Sequence, residues 1–238
     1  METTASPARA GFPLLLTAAC ATVPLAFCLS PVQVLAAAAG TLAGAVARHV
    51  LTRTRHGPRA SPLHCELPTG LLWTVIASLW QWGVVATPWL AVLLPLTWVA
   101  VPLVVTDLHH RRLPRVLTVA LGVLALPLLS VPALVEGWPL LANAVLGGAF
   151  TWALHAAAHR LSPASLGRGD VLLAAPTGAV QAASGPHALL LGTLLASVIT
   201  VLLHLARRRP GHWRSGIPHA PGVLAATTLV TLLHAPLA

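Results

Sequence analysis

Apolar runs of helix length, separated by short polar breaks, fill this chain from residue 12 to residue 236. They fall near 12–29, 31–47, 67–86, 88–106, 113–135, 138–158, 170–183, 187–206 and 217–236. A helix that crosses a bilayer needs about 20 residues at a rise of about 1.5 Å each. The pattern therefore predicts an all-α polytopic membrane bundle with about eight to nine transmembrane segments. Two stretches admit more than one reading. The run 12–47 would measure roughly 54 Å as one helix, too long for a single crossing. Pro24 and Pro31 could kink it, or Ser30-Pro31 could turn it into two spans. It also has a signal-peptide reading, with Arg9 as the charged end and small residues at Ala36–Ala39. The short run 170–183 either stands alone or joins 187–206 through Ser184-Gly185-Pro186.

Composition strengthens the membrane reading. Hydrophobic residues make up 56% of the 238 and charged residues 8%, with a mean hydropathy of +0.81. A soluble domain carries about 25% charged residues, so this chain has too few to cover a water-facing surface. The net charge of +9 comes from arginine, with no lysine present. Such a balance can signal nucleic-acid binding, but here the arginines sit in short breaks between apolar runs. Arg48, Arg53, Arg55 and Arg59 fall in one break, and Arg111, Arg112 and Arg115 in the next. Arg160 and Arg168 flank a third, and Arg207, Arg208, Arg209 and Arg214 fill a fourth. Alternate breaks, near Thr87-Pro88, Gly137 and Gly185-Pro186, carry none. That is the positive-inside pattern, which puts the basic loops in the cytoplasm beside anionic lipid heads. The longest polar connection, about 48–66, is too short to bury a core of its own. The chain reads as one membrane-embedded domain, 1–238, with no nucleic-acid partner. Cys20, Cys28 and Cys65 form no C-x-x-C pair, so a zinc ribbon or redox dithiol is not expected.

Charge also singles out the candidate chemistry. The chain has two aspartates, Asp107 and Asp170, each at the end of an apolar run beside arginines. A carboxylate there is costly and marks a functional site by default. Asp107 lies in Thr106-Asp107-Leu108-His109-His110-Arg111-Arg112-Leu113-Pro114, where Pro114 suits the first turn of the following helix. Asp170 closes Gly167-Arg168-Gly169-Asp170, where the glycines permit positive φ or close approach. Asp170 would then stand near a helix N-terminus, whose dipole favours its charge. Taken singly, each aspartate is also compatible with a structural role, as a carboxylate neutralised by loop arginines or as a helix cap. Two carboxylates in reach of one another share a proton, one serving as general base on water and the other polarising a carbonyl. That is aspartyl-protease chemistry and needs no metal or cofactor. His155 and His159 have i, i+4 spacing but no acidic third ligand nearby, and read as an interfacial helix end. Glu66 reads as a partner for an arginine or as support for the site.

These motifs resemble those of the type IV prepilin peptidases, polytopic aspartic proteases of the bacterial cytoplasmic membrane. Asp107, Leu113-Pro114 and Leu117-Thr118 match the family's first motif, and Gly167, Gly169 and Asp170 its second. Ile217-Pro218-His219-Ala220-Pro221 fits a C-terminal Ile-Pro-x-x-Pro, and Glu66, Thr69 and Gly70 fit Glu-x-x-Thr-Gly. The likeness covers about residues 62–234. It implies Asp107 and Asp170 as the catalytic pair, with Gly167, Gly169 and Pro114 shaping the site. Glu66 and Arg168 would be supporting residues. The substrates it implies are prepilin-like membrane proteins, cut after a glycine ahead of the hydrophobic helix. The cysteine-rich loop of the longer, methylating members is absent, so methylation is not carried over. Leu172 stands where the family usually has lysine, Arg115 follows Leu-Pro where Asp or Asn is usual, and Pro62 lies one residue further than usual from Glu66. Rival readings are a proton- or ion-coupled transporter, an inactive pilus or secretion assembly component, and another intramembrane aspartyl protease class. The first would need the aspartates along a continuous path, and the second would tolerate Asp→Asn changes. The third usually has a tyrosine before its first aspartate, and this chain has none.

Overall fold

The computed structural model describes residues 30–53, 61–111, 113–163, 166–206 and 218–234. Those residues form eight helices. They are α1 (Pro31–Arg53), α2 (Pro62–Gln81), α3 (Thr87–His110), α4 (Arg115–Glu136), α5 (Pro139–Leu161), α6 (Arg168–Ala183), α7 (Pro186–Ala206) and α8 (Ala220–His234). Proline in the first turn starts α2, α3 and α5, where its missing N–H leaves no bond unmade. Gly137, at φ 93°, stops α4 in a conformation that L side chains resist. Gly185, at φ 120°, does the same between α6 and α7, so 170–183 and 187–206 are separate helices. The expected run 12–29, with Cys20 and Cys28, lies outside the described residues.

Among the described residues, five helices are long and apolar enough to cross a membrane: α1, α3, α4, α5 and α7. The chain is a multi-pass helical membrane protein. Leu35, Leu134, Leu146 and Leu190 are 68–87% exposed on α1, α4, α5 and α7. Apolar faces of that extent suit a bilayer and not water. In α3, by contrast, 67% of the most apolar stretch is buried, against 22–33% in the other spans. α3 is therefore the central span. The shorter α6 and α8, of 16 and 15 residues, are also buried along most of their length.

Small residues set the closest helix contacts. A β-carbon on Gly178 of α6 would collide with Thr151 of α5, and one on Gly147 with Ala182. The bare faces let Thr151 Oγ1 come within 2.9 Å of the Ala174 carbonyl across the two helices. Likewise a β-carbon on Gly44 of α1 would lie 2.6 Å from the Cys65 carbonyl oxygen on α2. In lipid, where apolar surface gains little by leaving its solvent, this close packing is what holds helices together.

The helices reach further into the basic breaks than hydropathy alone indicates. Arg48 and Arg53 belong to α1, Arg160 to α5 and Arg168 to α6. α3 continues to His110, so Asp107 lies in its last turn and not in the loop. Pro114 is the N-cap of α4, one residue before the expected first turn, with an extended ψ of 115°. In this bundle α3 packs on α1, α2, α4 and α8, while α6 packs on α4, α5, α7 and α8. α4 and α8 thus bridge the helix of Asp107 to the helix of Asp170.

Candidate active site

Asp107 is 5% exposed, at the end of α3 closed by Arg111 in the left-handed conformation (φ 51°). Its Oδ2 accepts the backbone N–H of Ala220, the first residue of α8, at 3.1 Å. The Arg111 guanidinium lies within electrostatic reach of Asp107, and so does Asp170. Asp170 sits in the first turn of α6, and its Oδ2 accepts the N–H of Gly167 at 3.2 Å. Each carboxylate thus has one oxygen fixed by a backbone N–H at a helix start. Both helix ends, 63 positions apart in sequence, face one another because α4 and α8 pack against both.

The two glycines of the second motif serve by close approach and not by positive φ. Gly167 has φ −73°, and Gly83, Gly137 and Gly185 are the described glycines at positive φ. A β-carbon on Gly167 would stand 3.1 Å from Asp170 Oδ2, crowding the bond that holds the carboxylate. A β-carbon on Gly169 would stand 3.0 Å from the Leu113 β-carbon. Leu113 of the first motif therefore packs directly on the backbone of the second. Pro114, next to it, accepts the N–H of Thr118 through its carbonyl at 3.1 Å and so anchors the start of α4.

Two residues that the sequence left outside the site stand in it. His155 of α5 and His219, just before α8, line a cavity of about 170 Å³ together with Asp170. Their ring centroids are 6.0 Å apart. His155 Nδ1 donates to the Thr151 carbonyl at 2.8 Å, and His219 Nδ1 meets Thr200 Oγ1 at 3.3 Å. The rest of the wall includes Thr177, Gln181, Thr193 and Ser197. Burial pushes the Asp170 carboxyl above the ordinary carboxylate range; His219, the Gly167 N–H and His155 act against that push. Burial pushes the His219 imidazole down, with Asp170 opposing and His155 adding to the effect. The signal for His219 was its place inside Ile-Pro-x-x-Pro; the i, i+4 spacing of His155 and His159 pointed to an interfacial helix end and not to this site.

Glu66 pairs with Arg48 across α2 and α1, at 2.9 Å to Nη2 and 3.0 Å to Nε. Arg168 is exposed at the start of α6, while the groups that act on Asp170 include the two imidazoles. His159 Nδ1 donates to the Leu166 carbonyl at 2.7 Å, tying α5 to the segment that leads into Gly167. His109 packs edge-on against His64, 5.4 Å between centroids. Among the described residues no group of three or more His, Cys, Asp or Glu is disposed to hold a metal ion.

Residues 91–205, about half of the chain, match the model of the type IV leader peptidase family. The chain belongs to that family. Both aspartates and both glycines of the second motif fall within the matched segment. No curated protein and no solved structure matches the chain. Membership in the type IV leader peptidase family implies a peptidase in a membrane setting.

Proposed function

We propose that this leader peptidase is an aspartic endopeptidase and that Asp107 and Asp170 are its catalytic pair. It removes the leader of type IV prepilin-like proteins at the cytoplasmic face of the bacterial membrane, cutting after a glycine that precedes the hydrophobic helix. The observation that carries the reading is that the chain's two aspartates lie within electrostatic reach of one another, each oriented by a backbone N–H. Two carboxyls that act on one scissile bond share one proton. The ionised member takes a proton from water, whose oxygen bonds to the scissile carbonyl carbon. The protonated member donates to the carbonyl oxygen. Collapse of the tetrahedral adduct breaks the C–N bond, and the proton held by the base passes to the leaving amine. No metal or cofactor enters these steps. The basic helix ends at Arg48, Arg111, Arg115 and Arg160 support a cytoplasmic setting through the positive-inside rule. A pilin helix lying in the bilayer would meet this interface laterally, with its leader on the same side.

The test is co-expression of a candidate prepilin with the wild type, Asp107→Asn or Asp170→Asn, followed by mass measurement of the pilin. Leader removal by the wild type alone is the expected result. Equal processing by all three would exclude the aspartates as catalysts.

A further inference from the structure

We propose that His219, assisted by His155, is a positioning residue that makes Asp170 the charged member of the pair and so sets the pH range of cleavage. The inference rests on the catalytic reading of Asp107 and Asp170. Its own ground is the geometry of the segment before α8. Ala220 holds Asp107 through its backbone N–H, while its neighbour His219 lines the cavity that Asp170 enters. One turn of chain therefore touches one carboxyl and faces the other. His219 is not free to swing, because Thr200 Oγ1 meets its Nδ1 at 3.3 Å. His155 faces the same cavity from α5, fixed by the Thr151 carbonyl, with its ring 6.0 Å from that of His219.

Titratable groups face Asp170 from several elements. α5 brings His155, the start of α8 brings His219, and α3 brings Asp107 with Arg111 beside it. The cavity-facing residues of α7, Thr193 and Ser197, are uncharged. At the start of α4 Leu113 makes the contact, while Arg115 is exposed, as is Arg168 on α6 itself. Leu172 is 37% exposed and supplies no cation. The imidazoles are thus the groups that offset the burial of an ionised Asp170, reinforced by the N-terminus of α6. The shared proton then rests on Asp107, which is the donor to the substrate carbonyl, and Asp170 is the base.

Without the imidazole, burial acts on Asp170 with less opposition, and the carboxyl ionises only at higher pH. The acid limb of the cleavage profile moves up, and below it kcat falls several-fold while KM stays the same. His219→Asn is the informative variant, because its amide can keep the contact to Thr200 while losing the imidazole. His219→Lys, which places a cation there, should return the limb towards the wild-type position. His155→Asn should move it in the same direction as His219→Asn, by less.

A second readout does not depend on activity. Asp107→Asn leaves Asp170 as the single aspartate of the chain. Carboxyl-labelled aspartate then reports its protonation alone, by infrared or carbon NMR titration of the detergent-solubilised protein. Adding His219→Asn should shift that titration to higher pH. An unmoved titration in both His219→Asn and His155→Asn would overturn the proposal, whatever the cleavage assay gives. Retained cleavage in Asp107→Asn and Asp170→Asn would instead defeat the catalytic reading, and the titration would still report on the histidines.

Discussion

At the scale of the residue, Asp170 combines a helix N-terminus, one backbone N–H and two imidazoles with a half-buried position. A carboxyl whose folded pKa lies above its unfolded value binds its proton more tightly in the native state. Stability is then fullest below the ordinary carboxylate pKa and declines as pH rises through the raised value. Asp170→Asn removes that dependence. Its melting temperature should therefore gain on the wild type from acid towards neutral pH, while cleavage falls by on the order of 10³-fold or more. A difference in melting temperature that is flat with pH would contradict the assignment. Gly169→Val tests the contact between the two motifs. Leu113 must give way to the added carbons, so denaturation should show a loss of about 1–3 kcal/mol, with activity lost alongside. Gly122, which has open space around its missing β-carbon, is the control; Gly122→Ala should leave both unchanged.

At the scale of the element, the pairing of α5 and α6 places His155 opposite Asp170. Gly178→Val drives a side chain into Thr151, and should cost about 1–3 kcal/mol and weaken cleavage with it. Thr151→Ala added to it should return part of both, measured by thermal melts and pilin processing. The same pair shows what the sequence could and could not reveal. Hydropathy marked each helix, and the separation of α6 from α7 was in the Gly185-Pro186 break. Asp107 and the G-x-G-D were conspicuous because carboxylates are rare in apolar runs. His155 gave no such signal, since its role depends on which face of α5 meets α6. That face is decided by Gly147, Gly148 and Gly178, whose partners are distant in sequence. The glycines before Asp170 were recognisable as special, but the reason for Gly169 is the approach of Leu113, again a tertiary fact. Glu66 illustrates the reverse case: its motif fits, while its side chain closes an ion pair with Arg48.

At the scale of the molecule, α3, α4, α5 and α7 each pack on the shorter α6 or α8, and the two aspartates lie at helix ends with basic neighbours. The positive-inside pattern predicts that the Leu161 end of α5 faces the cytoplasm and the Trp138 end the opposite side. Both residues are more than 70% exposed. With the native cysteines replaced, an impermeant thiol reagent added to intact cells should label Trp138→Cys and spare Leu161→Cys until the cells are opened. The reverse pattern would put the aspartates on the wrong face for a cytoplasmic leader. The central claim is that Asp107 and Asp170 act as one unit, and a double-mutant cycle tests it most directly. Cleavage rates of a prepilin would be measured for reconstituted wild type, Asp107→Asn, Asp170→Asn and the double variant, each shown to be folded. The account predicts that both single variants fall to the same floor and that the double variant falls no further. Losses that multiply in the double variant, or a single variant that keeps near wild-type turnover, would contradict it.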